Sequence, residues 1–127
     1  RVSCVVDFCG PTHLLSMGKF PSNIDHDAAN SPESQLIGGA LQENKKAANK
    51  ASPMTYVTKD DAPTIIVHGT EDPLVLFNQA KIFHEALTEA GVPNTFLPMK
   101  GMGHGLSGPV VDESVRKFLE AHLLGKK

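Results

Sequence analysis

The 127-residue chain contains no tryptophan, one tyrosine and six phenylalanines. With an average hydrophobic share and so few aromatics, it can bury a core of only modest size, and its length is that of one ordinary domain. It has two cysteines, Cys4 and Cys9. That odd spacing on one predicted strand sends their side chains to opposite faces. A disulfide between them and a C-x-x-C metal pair are both excluded, and each is expected to act as a small buried hydrophobe. No apolar run approaches the roughly 20 residues of a membrane-spanning helix. Charge of neither sign dominates: the formal net charge is −2. The chain therefore lacks the electrostatic footprint of a nucleic-acid or polyanion partner. No signal peptide is visible. Arg1 is not an initiator, so the compartment, cytoplasm or export, stays open.

What is present is an alternation of apolar runs and amphipathic segments. Val2 to Phe8 reads as a strand buried on both faces and stopped by Gly10-Pro11. Asp7 and His13 lie near its carboxyl end, where a side chain either lines a cleft or bonds nearby backbone amides. Residues 14–50 form an excursion with the character of a cap. Leu14 to Asn30 is irregular, and its Asp25-His26-Asp27 cluster is expected to be a solvated loop, since adjacent residues rarely converge on one ion. Ser31-Pro32-Glu33 signals a helix start, with Ser31 as N-cap. Leu36, Ile37 and Leu41 would be its apolar stripe, interrupted by Gly38-Gly39. Gln42 to Lys50 is helix-prone again and ends at Ser52-Pro53.

Thr64 to Val67 is a second buried strand. It runs into His68-Gly69-Thr70-Glu71-Asp72-Pro73-Leu74-Val75, the stretch around which the chain is organised. Asn78 to Ala90 follows as a helix, with Phe83, Ala86, Leu87 and Ala90 on one face and Gly91 as its cap. Asn94 to Met99 is a third strand, near an edge because Pro98 cannot donate to a ladder. After the loop 100–109, Asp112 is expected to cap a last helix. Its stripe is Val115, Phe118, Leu119 and His122 or Leu123; Gly125 ends it and Lys126-Lys127 complement its negative end. Strands alternating with helices predict an α/β fold with a parallel sheet and right-handed crossovers.

Two residues carry the chemistry. Asp72 sits in a turn at the carboxyl end of the second strand, where ligands and catalytic groups collect in open α/β sheets. His104 sits between Gly103 and Gly105 in the loop after the third strand. An acid that fixes a histidine's tautomer, followed in sequence by that histidine, makes two members of a Ser-His-Asp triad in the order Ser…Asp…His. For either residue alone, a turn cap or an incidental loop histidine is the simpler reading; the pairing at two neighbouring strand ends favours catalysis. Glu71 is the rival acid, and His68 is expected to be structural or to touch the Asp72 turn. None of the eight serines, Ser3, Ser16, Ser22, Ser31, Ser34, Ser52, Ser107 and Ser114, lies in G-x-S-x-G or on a strand-to-helix elbow. Ser107 follows His104, in the wrong order. Cys9 has no helix after it to lower its pKa and is discounted as a thiol nucleophile.

Ala51-Ser52-Pro53-Met54-Thr55-Tyr56-Val57, then Asp61 through Val75, then Lys100-Gly101-Met102-Gly103-His104-Gly105 resemble the C-terminal half of an α/β-hydrolase. They are similar to small esterases and lipases of the acetyl- or feruloyl-esterase kind, a branch related to prolyl-oligopeptidase-type hydrolases. Val5-Val6-Asp7-Phe8 and Gly10-Pro11 resemble the sixth strand of that fold and its exit. The likeness covers nearly all the chain except Leu14–Asn30. It implies a partial α/β-hydrolase fold with strands equivalent to the sixth to eighth, and a cap-like insertion after the sixth. It implies Asp72 as catalytic acid, His104 as catalytic base, a small-molecule ester as substrate, and neither metal nor organic cofactor.

The departure from that family's pattern is the missing nucleophile elbow and oxyanion-hole loop, which the family places upstream. The expectation is a piece of an esterase, left by cloning, proteolysis or an incomplete reading frame. Such a piece would be nearly inactive alone. Its strand Val2–Phe8, deprived of a neighbour, would pair with the missing N-terminal half or with another copy. Two alternatives share the residues: a fragment of a prolyl-oligopeptidase-type serine peptidase, and a non-catalytic α/β binding module.

Overall fold

The protein is described here by a computed structural model covering residues 1–125; the expected role of Lys126 and Lys127 lies outside the described residues. Three parallel strands form the sheet in the order β1 (Val5–Phe8), β2 (Thr64–Gly69), β3 (Asn94–Met99). Helix α3 (Phe77–Ala90) links β2 to β3, and α4 (Pro109–Leu123) closes the described chain. Between β1 and β2 run the excursion and a short connector, with two short helices, α1 (Pro32–Ile37) and α2 (Lys45–Ala51), and three short 3₁₀ segments.

The two faces of β2 explain its continuous apolar sequence. Ile65 and Val67 point to one side and pack with Val111 and Phe118 of α4. Ile66 points to the other and packs with Ala80 and Leu87 of α3 and with Val92. All six residues of β2 are buried, as expected of a parallel strand covered on both sides. Truncating Ile66 to alanine would cost about 2–5 kcal/mol. A third cluster, Leu14, Met17, Leu41 and Ala48, is the excursion's own core, and Val75 of the acid turn packs against it.

The caps follow their chemistry. Ser31 Oγ accepts from the Ser34 amide at 3.0 Å, and Gly38 and Gly91 end α1 and α3 at φ 87° and 81°. Several expectations need correction. The first strand is shorter than Val2–Phe8 and is not buried on both faces, because it is terminal in the sheet; Phe8 is 50% exposed. Leu36 is 72% exposed rather than part of a stripe, because its neighbour Ile37, about 100° round the helix, takes the face packed on the Leu14, Met17, Leu41 and Ala48 cluster. Helix α4 starts earlier than Asp112: Pro109 supplies its first turn, and Asp112 lies within that turn instead of capping it.

Candidate active site

The loop after β2 and the loop after β3 are stitched together by backbone. Thr70 donates its amide to Met99 O at 3.1 Å, and Glu71 donates to Met102 O at 3.0 Å. Thr70 Oγ1 accepts from the Gly101 amide at 2.9 Å. Gly69 is where they cross: a Cβ there would lie 2.2 Å from the carbonyl oxygens of both Met102 and Gly103. Only a residue without a side chain lets the backbones approach so closely.

This crossing delivers His104 to Asp72. Nδ1 of His104 lies 2.8 Å from Oδ2 of Asp72. The other oxygen, Oδ1, accepts from the amides of Leu74 at 2.9 Å and Val75 at 3.1 Å. Asp72 is buried. Burial alone would push its carboxyl up; the Leu74 amide, the His104 hydrogen bond and the Val75 amide together outweigh that and hold it below the ordinary carboxylate range. A carboxylate accepts only, so the proton of the contact sits on Nδ1 and Nε2 carries the lone pair. The His104 side chain is 46% exposed, and that half presents an imidazole base to whatever enters from above the sheet.

Neighbouring groups sort themselves by their bonds. Glu71 is exposed and makes no bond to His104. His68, at the end of β2, is fully buried; its Nε2 donates to Val75 O at 2.7 Å and passes 3.4 Å from Asp72 Oδ2. It thus touches the acid turn from below. Asp7 accepts from the Gly10 amide at 2.9 Å through Oδ1, while its Oδ2 and Nδ1 of His68 are buried without a hydrogen-bond partner. Burial raises the Asp7 carboxyl, with the Gly10 amide and His68 pulling against it. His13 bonds Ser16 at 2.8 Å, far from His104 in the bonding pattern.

Cys9 is the one non-glycine residue at positive φ (53°) among the described residues. Its thiol lies 3.6 Å from the His104 carbonyl, and burial pushes it up to about 11. Cys9, His68 and Asp72 bring one ligand atom each within 4.8 Å of one another. Asp72 and His68 Nε2 are already engaged, and the thiol holds its proton, so the set reads as packing around the acid more than as a metal centre.

Among the described residues, no serine bonds His104. The hydroxyls of Ser16, Ser22, Ser31 and Ser52 donate to main-chain carbonyls of His13, Pro73, His26 and Ala48. Ser107 makes no hydrogen bond with its neighbour His104.

The excursion holds what the sequence concealed. Of Asp25-His26-Asp27, expected as a solvated loop, Asp25 is exposed and Asp27 partly so, but His26 is 1% exposed. Its Nδ1 meets Glu33 Oε2 at 2.9 Å and its Nε2 meets Leu74 O at 2.8 Å. Asp25 and Asp27 are used locally, by the Asp27 amide and by Gln42. Glu33 was legible only as a charge in the first turn of α1; nothing in the spacing announces a buried histidine as its partner.

The BD-FAE family model matches residues 1–87. A solved structure of a truncated form of carbohydrate esterase from gut microbiota is similar at a TM-score of 0.88 and 28% identity, over 96% of this chain and 43% of its own. A bifunctional GH43-CE protein of Bacteroides eggerthii is similar at a TM-score of 0.87 and 31% identity, over 96% of this chain and 17% of its own. Dipeptidyl peptidase family member 6 of Caenorhabditis elegans is 25% identical over 113 residues, 84% of this chain and 15% of that protein. The chain spans less than half the length of each.

Proposed function

The chain belongs to the BD-FAE family, within the α/β-hydrolase-fold serine hydrolases, and from that premise we propose that it carries the acid and base of a carboxylester hydrolase. The observation that carries the reading is the 2.8 Å contact of Asp72 Oδ2 with His104 Nδ1. Nε2 of His104 takes the proton of a serine hydroxyl supplied by a part of the protein outside this sequence. The serine oxygen adds to the ester carbonyl, and Asp72 steadies the imidazolium that forms. Nε2 then returns the proton to the departing alcohol as the acyl–oxygen bond breaks. Water repeats the sequence on the acyl-serine and releases the acid. Donors for the tetrahedral oxyanion come with the serine. Residues 14–50 serve as a cap beside the site, and the free side of β1 receives the remainder of the protein or, without it, a second copy of this chain.

A serine peptidase reading rests on the likeness to dipeptidyl peptidase family member 6. The same two residues would serve it, and only the leaving group differs, an amine in place of an alcohol.

A fluorophosphonate probe followed by intact mass under denaturing conditions tests the proposal. The isolated chain is expected to stay unlabelled. The longer protein is expected to be labelled on a serine outside these 127 residues, more slowly after Asp72→Asn or His104→Ala. A label on a serine within the chain, Ser107 first, would overturn it. Ester against dipeptide substrates then separates the two readings.

A further inference from the structure

The turn that carries Asp72 offers three successive carbonyls away from the carboxylate, and each is taken by a donor from elsewhere in the chain. Pro73 O accepts from the Asn23 amide at 2.9 Å and from Ser22 Oγ at 3.0 Å. Leu74 O accepts from His26 Nε2 at 2.8 Å and lies 3.3 Å from Ser22 Oγ, whose single proton has the nearer acceptor in Pro73 O. Val75 O accepts from His68 Nε2 at 2.7 Å. The amides of Leu74 and Val75 meanwhile point at Asp72 Oδ1. The Leu74 residue is thus held from both ends: its N–H by the acid, its C=O by His26.

We propose that His26, oriented by Glu33, is a positioning residue for the catalytic acid: through the Leu74 carbonyl it fixes the turn that aims Asp72 at His104. This rests on the functional reading above for the roles of Asp72 and His104. Both neighbours of the His26 ring, a carboxylate and a carbonyl, are acceptors. The pair therefore holds one proton more than a neutral histidine beside an ionised glutamate. That proton keeps a hydrogen on Nε2 for Leu74 while Nδ1 stays bound to Glu33. Ser22 Oγ, 3.3 Å from Nε2, is the other polar group on the ring. The flanking Asp25 and Asp27 are engaged elsewhere. The arrangement repeats the order of the candidate site, carboxylate to Nδ1 and target to Nε2, but its target is a peptide carbonyl. A buried residue held this way specifies orientation, since removing either partner leaves the other unsatisfied. The excursion, which the sequence suggested as a cap, is on this view also a fixed support for the acid turn.

The test uses the full chain with labelled histidine and aspartate side chains, read by NMR, with a thermal melt for every variant. The wild type is expected to show a downfield, exchange-protected Nδ1–H on His104 and a protonated, protected Nε2 on His26. Glu33→Ala and His26→Ala are expected to broaden or abolish the His104 signal. They should also move the Asp72 titration upward by on the order of one pH unit, as its amide donors loosen. Glu33→Gln can donate to Nδ1 of a neutral His26 and leave Nε2–H in place, so it should keep both readouts. A merely structural pair would lower the melt and move neither signal. Unchanged His104 and Asp72 signals in a folded Glu33→Ala chain would overturn the proposal. Should the alanine variants not fold, an unprotonated Nε2 on wild-type His26 would overturn it equally. A wild-type His104 with no bonded Nδ1–H would instead sink the functional reading, a separate result.

Discussion

Gly69 and Gly103 meet backbone to backbone: a methyl group on Gly69 would stand 2.2 Å from the Gly103 carbonyl oxygen. Through that contact the end of β2 and the histidine loop share one position in space. Gly69→Ala cannot be absorbed by a flexible side chain, because the obstacle is main chain. The variant is expected to lose about 1–3 kcal/mol of stability, the range for overpacking a buried site. It should also push His104 off Asp72. Urea denaturation reads the first effect and the His104 Nδ1–H resonance the second. Gly105→Ala, where nothing lies within 4 Å of the added carbon, is the matched control and should leave the resonance intact.

Asp72→Asn is expected to impair turnover more than it impairs folding. An asparagine can still accept from Leu74 and Val75 through its oxygen, so the turn survives. Its amide then faces His104 Nδ1 as a donor and selects the tautomer with the proton on Nε2, which is useless as a base. In the longer protein this should lower kcat by roughly three to four orders of magnitude, as for a triad acid elsewhere. A loss below about tenfold would point to another acid, with Glu71 the residue to try next.

Asp72 and His104 were legible because each sits beside strong local signals: an apolar run, a turn, a helix, and a glycine-flanked histidine. β2, α3 and β3 followed for the same reason. What failed, apart from the start of α4, depended on neighbours that the local pattern does not show. β1 was read as buried on both faces, yet apolar composition cannot tell a central strand from a terminal one. His26 looked solvated because its neighbours are aspartates; its actual partners, Glu33 and the Leu74 carbonyl, are brought in by the excursion's own core. The start of α4 moved because Pro109 is itself a good first helical residue, a signal outweighed in the sequence by Asp112.

Acid should destabilise the chain through Asp72 and spare it through Asp7. The folded pKa of Asp72 lies below its unfolded value, so its contribution is full above the ordinary carboxylate range and is lost as pH falls through the depressed value. For Asp7 the folded pKa is raised by burial. Its contribution is present below the unfolded value and lost as pH rises through the folded one. Asp7→Asn keeps an acceptor for the Gly10 amide without the buried charge. It should raise the melting temperature at neutral pH and change little at acid pH, where Asp7 is already neutral. Melts across that range check the crossing; a variant equally shifted at both ends would rule out the charge as the cause.

The two cysteines should separate cleanly on alkylation. Cys9 is buried, and its thiol is pushed up to about 11. At pH 8 only about one molecule in a thousand would carry the thiolate that reacts. Cys4 is partly exposed. Brief iodoacetamide treatment of the native chain is expected to add one group, on Cys4, and denaturant a second. Rapid native labelling of Cys9 would mean that β1 opens locally, exposing the residue that lies against His104.

The outer side of β1 should govern association. β1 is terminal in the sheet, and Phe8 lines an apolar hollow with Val115, Leu119, Leu123 and Leu124. Leu123 and Leu124 are exposed there, and Val2 and Val5 are exposed at a separate hollow that they line with Tyr56, Val57 and Phe83. An unpaired strand edge beside exposed apolar side chains is a template for another chain. The isolated chain is expected to sediment as a dimer or larger species at micromolar concentration, and Phe8→Lys to shift it toward monomer without lowering its melt. Because Phe8 is half exposed, the substitution leaves the core untouched. Charge at Leu36, exposed on α1 and lining neither hollow, should have no such effect. If the unmodified chain sediments as a monomer with a cooperative melt, the free side of β1 is already protected. The proposal that it receives either another copy or the rest of a longer hydrolase would then fail.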